Sequence, residues 1–340
     1  MLLFDMMIRY IYMLFVVSLL IGGCSDGEDE SREDNPYASK QAIVLFSPGG
    51  IGDMGYNDQI LRGIQQVKEE KDFMLLFSSP SSLEEARRIF GDWLEMDTGG
   101  IDCLFVLGGN EYEDMARELL GGGKYPGKKV LLFETLDPEI PAYTFSISMY
   151  GACYLAGCAA VPFAAGKAAV MRGNSNDATV ARAAGGFVKG YTDHGGGTAD
   201  VYSLADDWTG YAMPDSAYRA VARLAGEYGY LFPLAGGSNL GMFRYAREYP
   251  DDFYMAGMDV DQSGYSSRIT CSVVKNIDRL IGYYLDLWLE DETIPRNEVY
   301  GLESGYIDIV VSPGYEETLR PVISSSRDRA VEEENRFLNQ

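Results

Sequence analysis

Short runs rich in β-branched and aromatic residues, at 42–46, 73–78, 101–107, 129–133, 168–171, 199–204, 230–234, 253–257 and 268–274, alternate with stretches of helical periodicity. The helical stretches fall at 55–70, 82–95, 111–120, 151–165, 177–193, 215–228, 240–248 and 276–290, many with apolar residues three and four apart. Parallel strands cannot be joined by tight turns, so a strand followed by a helix and another strand predicts βαβ units and doubly wound parallel sheets. With 340 residues the chain is long enough for two such lobes. In these sheets ligands bind outside the carboxyl ends of the strands, so the residues leaving each strand are where function is sought.

The first exit is the richest, Ser47-Pro48-Gly49-Gly50-Ile51-Gly52-Asp53-Met54-Gly55-Tyr56-Asn57. Gly50, Gly52 and Gly55 form a literal GxGxxG, which can cradle a pyrophosphate when an acidic residue ends the second strand. That strand ends in Ser78-Ser79-Pro80, without an acid, so a turn that starts the helix close to the sheet is the better reading. A third reading has the loop meet a small ligand, with Tyr56 offering a flat face and Asn57 an amide. Later exits bring Asn110 and Glu111 after Gly108-Gly109, then Gly236-Gly237-Ser238-Asn239, then Met258-Asp259-Val260-Asp261-Gln262. The last imitates the start of an EF-hand loop, but Thr270 stands where a bidentate Glu is needed, and calcium is not expected. Lys275 closes an apolar strand at the start of a helix and is a candidate ligand contact.

Several function classes drop out. With 28 Lys+Arg against 51 Asp+Glu the net charge is −23, the wrong sign for nucleic acid. The single His194 lies in a glycine turn, with no GxSxG or HExxH motif to use it, and Asp206-Asp207 are adjacent rather than facing, so no enzyme is expected. Cys103, Cys153, Cys158 and Cys271 sit in apolar runs without a CxxC pair and read as buried small hydrophobes, although an even number leaves disulfides open. No metal site and no cofactor are expected. At the N-terminus Arg9 precedes an apolar run at 11–21, then Gly22, Gly23 and Cys24 and an acidic stretch. This reads as a secretion signal whose end resembles a lipoprotein cleavage box, making Cys24 the lipidated first residue; an uncleaved anchor is the alternative.

Taken in order, GGIGDMGYNDQILRGI at 49–64, then 101–109, 151–160, 257–262 and Ser272-Val273-Val274-Lys275 resemble the basic membrane lipoprotein family of ABC-transporter substrate-binding proteins, which includes purine-nucleoside receptors. The resemblance spans about 41–311. It implies a type I periplasmic-binding fold, two Rossmann-like lobes with parallel sheets joined by a three-crossing hinge. Carried over by position, Tyr56 is the base-stacking aromatic and Asn57 its neighbouring amide. Gly236 approaches the sugar, Asp259 grips ribose hydroxyls, and Lys275 contacts the ligand. Asp53 keeps a family carboxylate at a helix N-terminus, where capping explains it equally well. Ser47 stands where the family carries an Asp that reads the base, and Gly52 replaces another common Asp. Trp208 either completes the aromatic sandwich or packs.

The resemblance implies a lipid-anchored extracytoplasmic receptor that captures a small ligand, a purine nucleoside foremost, for import. ABC permease subunits and the membrane, through the Cys24 anchor, are the implied partners. A receptor for another polyhydroxylated ligand such as a sugar, and a surface adhesin on the same fold, are the rival readings. The expected domains are a signal peptide at 1–23, a flexible tether at 24–40, lobe one at 41–146 plus 259–289, lobe two at 147–258 plus 290–311, and a surface tail at 312–340. The expected ligand contacts are Ser47, Asp53, Tyr56, Asn57, Asn110, Trp208, Gly236, Asp259 and Lys275.

Overall fold

The computed structural model describes residues 35–48 and 50–339. The expected signal peptide, Cys24 and Gly49 lie outside the described residues. The first sheet holds β1 (Lys40–Leu45), β2 (Met74–Ser78), β3 (Asp102–Leu107), β4 (Lys129–Phe133), β5 (Tyr143–Ile147) and β11 (Glu298–Tyr300), in the order β11-β5-β4-β3-β1-β2 and parallel throughout. The second holds β6 (Lys167–Asn174), β7 (Thr198–Ala205), β8 (Tyr230–Leu234), β9 (Tyr254–Asp259), β10 (Ile269–Lys275) and β12 (Ile307–Val311), in the order β12-β10-β9-β8-β6-β7. Only β12 is antiparallel, against β10. Central strands such as β3 and β8 are buried along nearly their whole length, because helices cover both faces of a parallel sheet; hence their unbroken apolar sequences.

The helices are α1 (Tyr56–Glu70), α2 (Leu83–Glu95), α3 (Glu113–Leu120), α4 (Tyr150–Ala160), α5 (Ala178–Asp193), α6 (Pro214–Leu224), α7 (Asn239–Glu248), α8 (Ile277–Leu289) and α9 (Glu316–Leu338). Among the described residues the chain passes between the lobes three times, from β5 into α4, from β10 into α8, and from β11 into β12. This is the type I periplasmic-binding architecture.

Four boundaries differ from the sequence expectation. Strand β10, placed in lobe one with 259–289, belongs to the second sheet. Gln262 explains it: its Oε1 accepts from Met258 N at 2.8 Å and its N–H donates to Ser272 Oγ at 3.0 Å, so the loop 260–268 returns beside β9 without a helix. The stretch 290–311, placed in lobe two, contributes β11 to the first sheet, where Glu298–Tyr300 pairs with Phe145–Ile147. The tether ends earlier than residue 40, since Tyr37 packs on the core with its hydroxyl donating to Glu290 at 2.7 Å, and Lys40 is buried and donates to the Trp288 carbonyl. The tail at 312–340 is no surface appendage. It forms α9, which packs on α4 and buries Glu334 against two of the three crossings, where its carboxylate accepts from Ser148 Oγ (2.7 Å), Gly151 N (3.0 Å) and Leu302 N (2.7 Å).

Candidate functional site

A cleft of about 870 Å³ opens where the strand exits of the two lobes face each other. All nine expected contact residues lie in its walls. Their hydrogen bonding divides them into those that face a ligand free and those already committed to the protein.

The first exit shows why the glycine loop is not a phosphate cradle. Asp58 accepts from Gly52 N (2.7 Å) and Met54 N (2.9 Å), and Asp53 accepts from Gly55 N (2.9 Å), Asn57 N (2.9 Å) and Asp58 N (3.3 Å). Backbone N–H groups that would hold an anion are thus filled by the chain's own carboxylates. Burial raises the Asp53 pKa and these N–H bonds pull it back, so Asp53 acts as a helix cap. Asn57 is equally committed: its Oδ1 accepts from Ser47 N at 3.2 Å and its Nδ2 donates to Asp53 at 3.0 Å. The Ser47 hydroxyl lies 3.4 Å from the Gly108 carbonyl. Tyr56 faces the cleft, and its hydroxyl is buried without a hydrogen-bond partner.

The floor is charged. Lys275 is buried and ion-paired with Glu134, whose other oxygen accepts from Ile147 N at 3.0 Å, so this lysine is not a free cation awaiting a ligand. Its Nζ stands 4.9 Å from the centre of the Tyr56 ring, fixing that ring by a cation–π contact. Asp259, at the end of β9, has φ 71°, the left-handed region, and its carbonyl is held by the Gln59 side chain at 2.8 Å. Burial pushes the Asp259 carboxyl up to about 6; Lys275 pulls it down, while Asp53 and Glu134 add to the rise.

The second lobe supplies the facing wall. Trp208 stacks on Tyr211, centroids 5.9 Å apart and planes inclined 26°, and the Tyr211 hydroxyl donates to Asp177 at 2.6 Å. Trp208 therefore both packs and lines the cleft. Gly236 has φ 51°, and a Cβ there would come within 3.2 Å of the Tyr211 ring. Asn110, from the first lobe, reaches across: its Nδ2 donates to Asp177 at 3.2 Å and lies 3.4 Å from the Thr179 hydroxyl.

Glu111, Glu134, Asp177 and Tyr211 line the cleft and were not among the expected contacts. Glu111 was in view beside Asn110, Glu134 follows β4 and was findable by reading every exit, and Asp177 opens a predicted helix. Tyr211, on a short turn after β7, carries no sequence signal. The cleft as built is rich in carboxylates, and its one lysine is paired. It suits an uncharged ligand rich in hydrogen-bond donors, with a flat apolar part.

Over residues 40–339 the sequence matches the family described as ABC transporter substrate-binding protein, PnrA-like. It is 22% identical to basic membrane protein A of Borreliella burgdorferi, over 90% of this chain and 88% of that one. The structure is similar to an ABC transporter solute-binding protein of Aeropyrum pernix K1, with TM-score 0.69 and 20% identity over 88% of this chain and 89% of that one. It is also similar to an ABC transporter solute-binding protein of Burkholderia graminis solved in complex with D-arabinose, with TM-score 0.60 and 13% identity over 83% and 98%.

Proposed function

The chain belongs to the PnrA-like family of ABC transporter substrate-binding proteins, and from that premise we propose that its cleft captures a purine nucleoside for import. As a member of that family it is a solute-binding protein of the cell envelope and not an enzyme. The observation that carries the nucleoside reading is the meeting of the Tyr56 ring and the Asp259 carboxylate in one cleft, with Trp208 and Tyr211 on the wall opposite. A carboxylate accepts from two vicinal hydroxyls and so selects a ribose over an analogue lacking them. An aromatic face stacks on a base, worth about 1–3 kcal/mol in single-stranded nucleic-acid sites. The filled glycine loop and the paired Lys275 leave no seat for a phosphate, which favours a nucleoside over a nucleotide.

Melting temperature measured against nucleosides, free bases, sugars and amino acids tests this. A ligand at 100 times its dissociation constant adds about 2.7 kcal/mol to stability. A rise with a purine nucleoside that disappears in Asp259→Ala is expected; a rise with sugars alone would select the second reading, a polyhydroxylated sugar, which the D-arabinose-bound Burkholderia protein favours. Lipid attachment at Cys24 and delivery to permease subunits complete the proposal. Radiolabelled palmitate incorporated by the wild-type chain and lost in Cys24→Ser is the expected result, and equal labelling of both would refute the anchor.

A further inference from the structure

Two buried polar atoms of the cleft have no hydrogen-bond partner, Tyr56 Oη and Glu111 Oε1. Glu111 lies in the short helical turn Asn110–Tyr112 that follows β3, and its carboxylate folds back over Gly109. A Cβ on Gly109 would stand 2.3 Å from Oε2 and 2.8 Å from Oε1, so the glycine is what admits the carboxylate to this place. Burial raises the Glu111 pKa, and hydrogen bonding by the Ser47 hydroxyl and by its own backbone pulls it back. Its charge raises the pKa of Tyr56 on the first lobe and of Tyr211 on the second, and all three side chains line the one cleft.

The other carboxylates are differently engaged. Asp53 caps α1, Glu134 holds Lys275 and Ile147 N, and Asp177 accepts from Tyr211, Asn110 and Thr179 N. Asp207 accepts from Thr209 N and from its hydroxyl, and Asp259 and Glu111 remain as the cleft carboxylates not taken up by a cap, an ion pair or a turn. A buried carboxylate oxygen without a donor costs free energy that a ligand N–H recovers on binding.

We propose that Glu111 reads the base, its Oε1 accepting the N1–H of a 6-oxopurine, so that the cleft takes guanosine or inosine and rejects adenosine. The N1 of adenosine is itself an acceptor and would meet the carboxylate lone pair to lone pair. The inference rests on the nucleoside reading above.

Titration calorimetry of the full chain with guanosine, inosine, adenosine and 1-methylguanosine separates the two. Guanosine and inosine should bind at least about tenfold more tightly than adenosine, and 1-methylguanosine, in which a methyl group replaces the N1–H, should lose at least a similar factor. Glu111→Gln, nearly isosteric, should shrink the preference over adenosine to within about threefold. Equal affinity of the wild type for adenosine and guanosine, undiminished binding of 1-methylguanosine, or an unchanged preference in Glu111→Gln would overturn the role of Glu111 while leaving nucleoside capture standing. Absence of heat with every nucleoside overturns both. The methylated ligand needs no variant, so the inference stays testable even where Glu111→Gln does not fold.

Discussion

Asp259 joins a left-handed backbone and a buried charge in the residue proposed to grip the ligand. Its folded pKa, about 6, lies above the ordinary value of 3.8, so the folded protein holds this proton more tightly than the unfolded chain. The cost of keeping the carboxylate ionised is therefore full above pH 6 and is relieved as pH falls from 6 towards 3.8. On the proposed nucleoside reading ligand hydroxyls bond the ionised form, so binding moves the opposite way. Between pH 7 and pH 5 the ionised fraction of the empty site falls about tenfold, and nucleoside affinity should fall by about that factor. Calorimetric titration across this range checks it, with Asp259→Asn expected to bind weakly and with a flatter pH dependence. Burial also raises the Cys158 and Cys271 thiols, each to about 11, in keeping with their expected role as small hydrophobes; the four cysteines of the described residues are free and buried.

Contacts between elements rest on small residues. Helix α4 is buried almost all round, and α5 lies against it through Gly157, Gly186 and Gly190. A Cβ on Gly190 would stand 1.9 Å from the Tyr154 carbonyl oxygen, whereas Gly185, on the exposed side of α5, meets nothing closer than 4.0 Å. Gly190→Ala should destabilise by about 1–3 kcal/mol because backbone must move. Gly185→Ala should stabilise by up to about 1 kcal/mol by helix propensity. Urea unfolding of both tests whether packing or propensity governs this pair. The sequence showed β3 and β8 plainly because both faces of a parallel sheet are covered. Strand β11 was not legible, since three residues with an exposed side carry no alternation, and α9 was hidden because its buried face includes Ser326, Glu333 and Glu334 among few apolar residues. Glu334 shows what that polar face does. It satisfies donors at Ser148, Gly151 and Leu302, and a Cβ on Gly301 would stand 2.4 Å from its Oε2. Glu334→Ala should cost about 3 kcal/mol, read as a lowered urea midpoint, because buried donors lose their acceptor; a midpoint within error of wild type would show that water replaces it.

At the scale of the molecule, function follows from two sheets whose strand exits face one cleft. Exits are legible from the strand pattern alone, which is why residues as distant as Tyr56, Asn110 and Asp259 were found together on the walls. Which side chains are free for a ligand was not legible, because commitment depends on partners from the other lobe or the crossings: Lys275 on Glu134, Asn110 on Asp177. The Asn110–Asp177 bond joins the lobes across the cleft, and closure by movement at the three crossings is the expected way a ligand is retained. The most direct measurement is a calorimetric titration of guanosine into the purified protein at neutral pH beside Asp259→Ala. A single 1:1 site that is lost in the variant is the predicted result. No heat from guanosine, inosine or adenosine, with saturable heat from D-arabinose or another sugar, would contradict nucleoside capture and leave only the fold and the family in place.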